Sequence, residues 1–328
     1  MTTAEILQRL PKLSALVVGD ICLDRWCTYD PSEAEPSRET GFPRVGVIST
    51  TVTPGAGGTV ANNLAAMGVG RVSVLGAIGD DGFGHELRCS LSARHILSDN
   101  VIALPSIQTF TYTKLINVAT GEEDLPRIDF ICNSPLDKQA EQQILKSLGD
   151  NIAAFDVILV SDQAETRRGG VVTPLLRQLL TDLAAQYSDK IFMADSRTRI
   201  EEFRNVIVKP NRQEAETACQ KLFGAIDYQR LLRHVQSPFL YVTHGDEGVA
   251  LIAPDREERI ATYKIAQPVD ICGAGDSFTA GAAMALAVTG SPSEAAQFGN
   301  LVASITVMKK GTGTASPAEL LAHEHASH

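Results

Sequence analysis

Five short apolar runs, each closing on polar residues, constrain this chain more than any other feature. They are Leu16-Val17-Val18-Gly19-Asp20, Val157-Ile158-Leu159-Val160-Ser161-Asp162, Ile191-Phe192-Met193-Ala194-Asp195, Val206-Ile207-Val208-Lys209-Pro210-Asn211 and Leu240-Tyr241-Val242-Thr243. Uninterrupted apolar runs of this length suit strands covered on both faces, as in a parallel sheet. Helical periodicity occupies about 137–149, 173–187, 212–223 and 227–235. The alternation predicts an α/β fold, a doubly wound, mainly parallel sheet flanked by helices. Ligands of such sheets bind beyond the carboxyl ends of the strands, where the closing polar residues fall.

Two stretches break the alternation. Residues 38–53 and 107–132 read as extended, rich in Thr, Val, Ile and Tyr, with Thr120-Gly121 offering a turn. No helix follows either, so they predict a small separate sheet; an edge hairpin is the plainer alternative. The α/β core then comprises 1–37, 54–106 and 133–328.

The most chemistry lies in Val269-Asp270-Ile271-Cys272-Gly273-Ala274-Gly275-Asp276. Gly273, Ala274 and Gly275 permit a tight turn, and the Ala-rich run from Ser277 to about Val288 predicts a helix that Gly290 ends. Unpaired amides at that helix start favour an anion. Asp276 sets a proton acceptor beside them, which suits a hydroxyl attacking a phosphoryl group. Gly-Ala-Gly-Asp alone also describes an ordinary loop leading into a helix.

After the first run come Asp20 and Asp24, where an aspartate either caps a turn or accepts from neighbouring sugar hydroxyls. Pro54-Gly55-Ala56-Gly57-Gly58 leads into a helix from Thr59 to Gly68, and its free amides admit a ligand close to the backbone. Asn211 and Glu214 lie one helical turn apart. Glu214 suits a hydrated magnesium ion, but the same spacing is a capping box.

Asp270-x-x-Gly273-Ala274-Gly275-Asp276-x-Phe278-x-x-Gly281 resembles the C-terminal signature of the ribokinase-like (PfkB) carbohydrate kinases, and the likeness runs from about 14 to 320. The resemblance implies Asp276 as catalytic base and the amides of Gly273, Ala274 and Gly275 as anion hole. It implies that Asp24, Gly57 and Gly58 meet the sugar. Thr59 falls at the family's usual Asn position, with Asn62 and Asn63 one turn onward. ATP would meet Thr243, Gly245, Gly248 and Asn300, while Asn211 and Glu214 would serve phosphate and Mg2+, Glu214 through water. A monovalent cation, a β-lid built from the two extended stretches, and a homodimer through that lid are further implications.

Within the family, Thr113-Lys114-Leu115, Arg127-Ile128-Asp129-Phe130, Ser161-Asp162, Lys209-Pro210-Asn211 and Gly311-Thr312-Gly313-Thr314-Ala315-Ser316-Pro317 follow the order found in the kinase domain of bacterial ADP-heptose synthesis enzymes. Lys114 and Arg127 match lid positions there, which implies a sugar phosphate as acceptor. The chain departs from pattern at Cys272, where the family has Thr, and at Glu165 and Arg197, where those enzymes have Lys.

A net charge of −10 disfavours nucleic acid or an anionic membrane as partner. No apolar run is long enough to span a bilayer, and six cysteines without paired spacing suit a reducing cytoplasm. Neither a Walker A loop nor a strand-linked Gly-x-Gly-x-x-Gly is present, which disfavours P-loop and dinucleotide chemistry. The expected function is an ATP-dependent kinase acting on a sugar or sugar-phosphate hydroxyl. The alternatives are a kinase for a nucleoside or neutral sugar, and an idle sugar- or nucleotide-binding regulator on the same fold.

Overall fold

The computed structural model describes residues 1–164, 166 and 169–326, with side chains to His323; Glu165 lies outside the described residues. The strands, in chain order, are β1 (Ser14–Gly19), β2 (Ile21–Tyr29), β3 (Val47–Ala56), β4 (Arg71–Gly79), β5 (Leu97–Leu104), β6 (Thr111–Asn117) and β7 (Ile128–Phe130). They continue with β8 (Val157–Asp162), β9 (Ile191–Ser196), β10 (Ile207–Val208), β11 (Leu240–Thr243), β12 (Val249–Ile252) and β13 (Glu257–Ile260). Nine form one sheet, ordered β13-β12-β11-β10-β9-β8-β1-β4-β5. Only the pairings of β12 with β11 and β13 are antiparallel.

All five apolar runs became strands of this sheet, and β8 is buried along its whole length. Successive residues feed opposite layers. Val17, Leu159 and Met193 enter one core with the helices Gly57–Ala66, Ala274–Thr289 and Pro292–Thr306. Leu16, Val18, Ile158 and Val160 enter the other with Lys138–Asn151, Pro174–Gln186, Arg212–Phe223 and Tyr228–Val235. The doubly wound expectation holds. Helices Ala274–Thr289 and Pro292–Thr306 cross closely because neither has a side chain at the crossing: a Cβ on Gly281 would lie 2.7 Å from Val302 Cγ2, and one on Gly299 2.9 Å from the Phe278 ring.

The second sheet, β3-β2-β6-β7, differs from the sequence expectation in its parts. One of its two inner strands, β2, falls inside 1–37, a stretch the sequence places in the core, and β3 runs on to Ala56. The chain passes directly from core strand β1 into β2 through Gly19-Asp20. Gly19 has φ +131°, and a Cβ there would meet Ser161 O at 2.1 Å. Asp20 is buried, and its carboxylate accepts from the amides of Gln163 (2.8 Å), Ala164 (2.8 Å) and Val171 (2.7 Å). Asp20 therefore braces the loop opposite rather than a ligand. Around Thr120-Gly121 the chain does reverse, with Gly121 at φ +71°, but β6 and β7 are joined by a loop rather than a tight hairpin. Among the described residues no helix is long and apolar enough to cross a membrane.

Candidate active site

The helix Ala274–Thr289 starts beyond the carboxyl ends of β8, β9 and β10, where Gln163, Arg197 and Lys209 reach it, with Gly273 as its N-cap at φ +78°. Among the described residues no acceptor takes the amides of Gly273, Gly275 or Asp276, while the Ala274 amide already donates to Ile271 O at 3.2 Å. Two of the three expected donors, Gly273 and Gly275, are therefore open, Ala274 is not, and the Asp276 amide joins them. The Asp276 carboxyl is pushed up to about 8, first by burial and then by Asp195, with Lys209 opposing. Asp24 raises it further and Arg197 lowers it.

β2 and β6 are parallel, in the register Asp24 to Tyr112 and Trp26 to Lys114. Side chains alternate along a strand, so these four share the face turned to the core. They line a cavity of about 150 Å³ with Arg127, Thr59, Gln163, Cys272, Gly273, Asp276 and Thr312. Burial raises Asp24 to about 6, with Lys114 and Arg127 opposing. Lys114 lies 3.6 Å from Glu123. Arg127 donates two bonds of 2.7 Å to Asp129 and stacks over Tyr112 at 5.0 Å. Both lid cations point into the site, and both carry a carboxylate partner.

Four of the expected sugar contacts do not line this cavity. Gly57 and Gly58 are packing glycines: a Cβ on Gly57 would meet Ile21 Cδ1 at 2.8 Å, and one on Gly58 would meet Pro54 Cβ at 2.5 Å. Asn62 and Asn63 are buried a helical turn behind Thr59, and Asn63 donates to Thr59 O at 3.0 Å. Trp26, Tyr112, Gln163 and Thr312 were missed; the alternation of β6, counted from Lys114, would have found Tyr112. Cys272 stands at the cavity wall with its thiol pushed up to about 11 by burial and then by Asp24, so it is a small neutral group.

Asn211 and Glu214 form a reciprocal capping box at the start of helix Arg212–Phe223, with bonds of 2.9 and 2.8 Å. Both also line a second cavity, of about 450 Å³. Glu214 is raised to about 7 by burial and Asp195, against Lys209. Arg197 is the residue shared by both cavities. Thr243 bridges to Asn211, which brings the β11 end beside the cap. Gly245 has φ +60° and open space where a Cβ would stand, whereas a Cβ on Gly248 would meet Ile260 O at 2.2 Å. Gly245 can therefore admit a ligand, and Gly248 serves the turn. Asn300 is buried, its amide donating to Ala261 O at 3.1 Å and to Ile260 O at 3.4 Å.

A doubly wound sheet, a helix N-terminus carrying a carboxylate beyond its strand ends, and a small sheet over that carboxylate define a ribokinase-type sugar kinase, which phosphorylates an alcohol acceptor. The chain belongs to that family: the profile described as pfkB family carbohydrate kinase matches residues 14–319. It is 31% identical over 325 residues to the bifunctional protein HldE of Trichlorobacter lovleyi, covering 97% of this chain and 64% of that protein. The HldE of Geobacter sulfurreducens is 30% identical, over 94% of this chain and 62% of its own length. This chain thus spans less than two thirds of these relatives. Among solved structures, a ribokinase from Thermotoga maritima superposes with a TM-score of 0.71 at 22% identity, covering 95% of this chain and 99% of its own. The phosphofructokinase-2 of Escherichia coli solved with potassium gives 0.73 at 18%, covering 96% and 100%.

Proposed function

We propose that this kinase transfers the γ-phosphoryl group of ATP to a hydroxyl of a sugar phosphate, with Asp276 as general base. One observation carries the reading: Asp276 and Asp24 face a single cavity whose lid wall presents Lys114 and Arg127. Asp24 accepts hydrogen bonds from the acceptor's hydroxyls and orients one of them toward Asp276. Asp276 takes that hydroxyl's proton as the oxygen bonds to phosphorus and the bond to ADP breaks. The open amides of Gly273, Gly275 and Asp276 hold the oxygens of the moving group. Arg197, open to both cavities, suits the same charge as it crosses between them.

ATP fits along Thr243, Gly245 and the Asn211–Glu214 cap, with Asn300 bracing the far wall. A carboxylate that reaches magnesium through water, with phosphates as the remaining ligands, is an ordinary donor set for that ion, so Glu214 fits. When bound, magnesium supplies charge neutralisation on the phosphates. The likeness to heptose-phosphate kinases supports a heptose phosphate as acceptor. The pairing of Lys114 with Glu123 and of Arg127 with Asp129 favours a second reading, in which the lid charges are already balanced and the acceptor is a neutral sugar or nucleoside.

The test is ATP-to-ADP conversion across sugar phosphates, neutral sugars and nucleosides, for the wild type and Asp276→Asn. Turnover with a sugar phosphate that falls about 10²–10⁴-fold in the variant, with ATP still bound, is expected. Saturable binding without turnover on any acceptor would instead mark a regulator.

A further inference from the structure

Two buried charged residues at the strand ends have no part in the reading above. Lys209, just past β10, is 2% exposed, and its Nζ lies 2.9 Å from the carboxylate of Asp195 at the end of β9. Such a pair is weak evidence for stability, since an apolar pair of similar volume often serves as well. Its position is more telling. A Cβ on Gly275 would lie 3.5 Å from Lys209 Nζ, so the ammonium underlies the first turn of the helix Ala274–Thr289. Burial works against that ammonium, but Asp195, Glu214 and Asp276 outweigh it and keep it charged.

We propose that Lys209, held in place by Asp195, is a positioning residue for phosphoryl transfer. It is a fixed positive charge under the anion hole, and Asp195 sets how much of that charge reaches Asp276. The proposal rests on Asp276 being the base. The charged and titratable groups around Asp276 are Asp195 and Asp24, which disfavour its ionised form, Lys209 and Arg197, which favour it, and the thiols of Cys22 and Cys272. Arg197 is exposed at the mouth; Lys209 is the cation whose place burial fixes.

Because the two partners act on Asp276 with opposite sign, removing each should move it in opposite directions. A merely structural ion pair has no such signature. The measurement is a carboxyl NMR titration of the ligand-free protein made with isotope-labelled aspartate, the Asp276 signal being the one lost in Asp276→Asn. Asp195→Asn should lower the Asp276 midpoint by about one pH unit and Lys209→Gln should raise it by about as much, the usual effect of a charge at this range. Lys209→Arg should stay near the wild type, and in turnover the acid limb of kcat/KM should move with the midpoints.

Shifts in the same direction, or an unmoved midpoint in Asp195→Asn, would overturn the proposal. If Lys209→Gln does not fold, Asp195→Asn decides alone, since asparagine still offers Lys209 an acceptor. The titration needs no turnover. Opposite shifts in a protein whose Asp276→Asn form keeps full activity would therefore reject the base assignment, and this proposal with it, while leaving the electrostatics intact.

Discussion

Removing the lid cations tests the acceptor most directly. Lys114 and Glu123 are only partly buried at 3.6 Å, and an exposed pair of this kind is worth roughly 0–1 kcal/mol. A phosphate on the acceptor can therefore take Lys114 from Glu123 at small cost. A hydrogen bond to a charged group contributes about 1.5–3 kcal/mol, or roughly 10- to 150-fold in affinity. Lys114→Ala should raise the acceptor KM within that range and leave the ATP KM within about threefold of wild type. Arg127→Ala should cost more. It removes a two-pronged donor stacked on Tyr112 and leaves the Asp129 carboxylate facing the incoming anion. Arg127→Lys should recover only part of the loss, because lysine keeps the charge without the fork. The reverse perturbation, Glu123→Gln, frees Lys114 and should lower the acceptor KM. The assay is initial rate against acceptor at saturating ATP, and against ATP at saturating acceptor. Equal rises in both KM values, or efficient turnover of a neutral sugar that neither alanine variant affects, would refute the reasoning.

Other outcomes follow from the same geometry. The base must be ionised to work, and Asp276 is raised to about 8, so kcat/KM should climb about tenfold between pH 7 and 9 and level off beyond; a flat profile across that range would contradict the assignment. The lid sheet exposes Val47, Ile48 and Ile128, and Phe42 stands beside it, so a homodimer through this face should become monomeric by analytical ultracentrifugation in Ile48→Glu. Gly281→Ala would press a methyl to within 2.7 Å of Val302; overpacking costs typically 1–3 kcal/mol, against about 1 kcal/mol gained in helix propensity, so Tm should fall by a few degrees.

The architecture could be read from the chain because short apolar runs closing on polar residues alternate with helical periodicity: Val157–Asp162 is buried along its length since both its faces are covered. β2 hid for the opposite reason. Its Asp24, Arg25 and Trp26 adjoin a polar cavity, so neither an apolar run nor clean alternation marks it. Asn211 and Glu214 carried two readings, a cap and a ligand set, and the geometry accommodates both, because a cap at a strand's carboxyl end already faces the site. Asn62 and Asn63 misled because three or four residues of helix carry them about 5–6 Å beyond Thr59, away from the cavity. Lys209 and Asp195 were invisible as a pair, because what joins them is the neighbouring of β9 and β10 rather than any spacing along the chain.

The unbroken path from β1 into β2 decides how this lid can be exchanged. Although the small sheet looks like an insertion, its inner strand β2 is the continuation of a core strand, and Gly19-Asp20 at the joint is braced against the loop that carries Gln163. A graft of residues 38–53 and 107–132 from another kinase would bring β6, β7 and most of β3, and leave β2 of the host, with Asp24 and Trp26, between β3 and β6. On the proposed function, acceptor preference in this scaffold is not a detachable cassette. If Asp24 meets the acceptor as proposed, that preference is shared between a strand continuous with the core and strands that can be replaced, and a transplant meant to change the substrate must include Ile21–Tyr29.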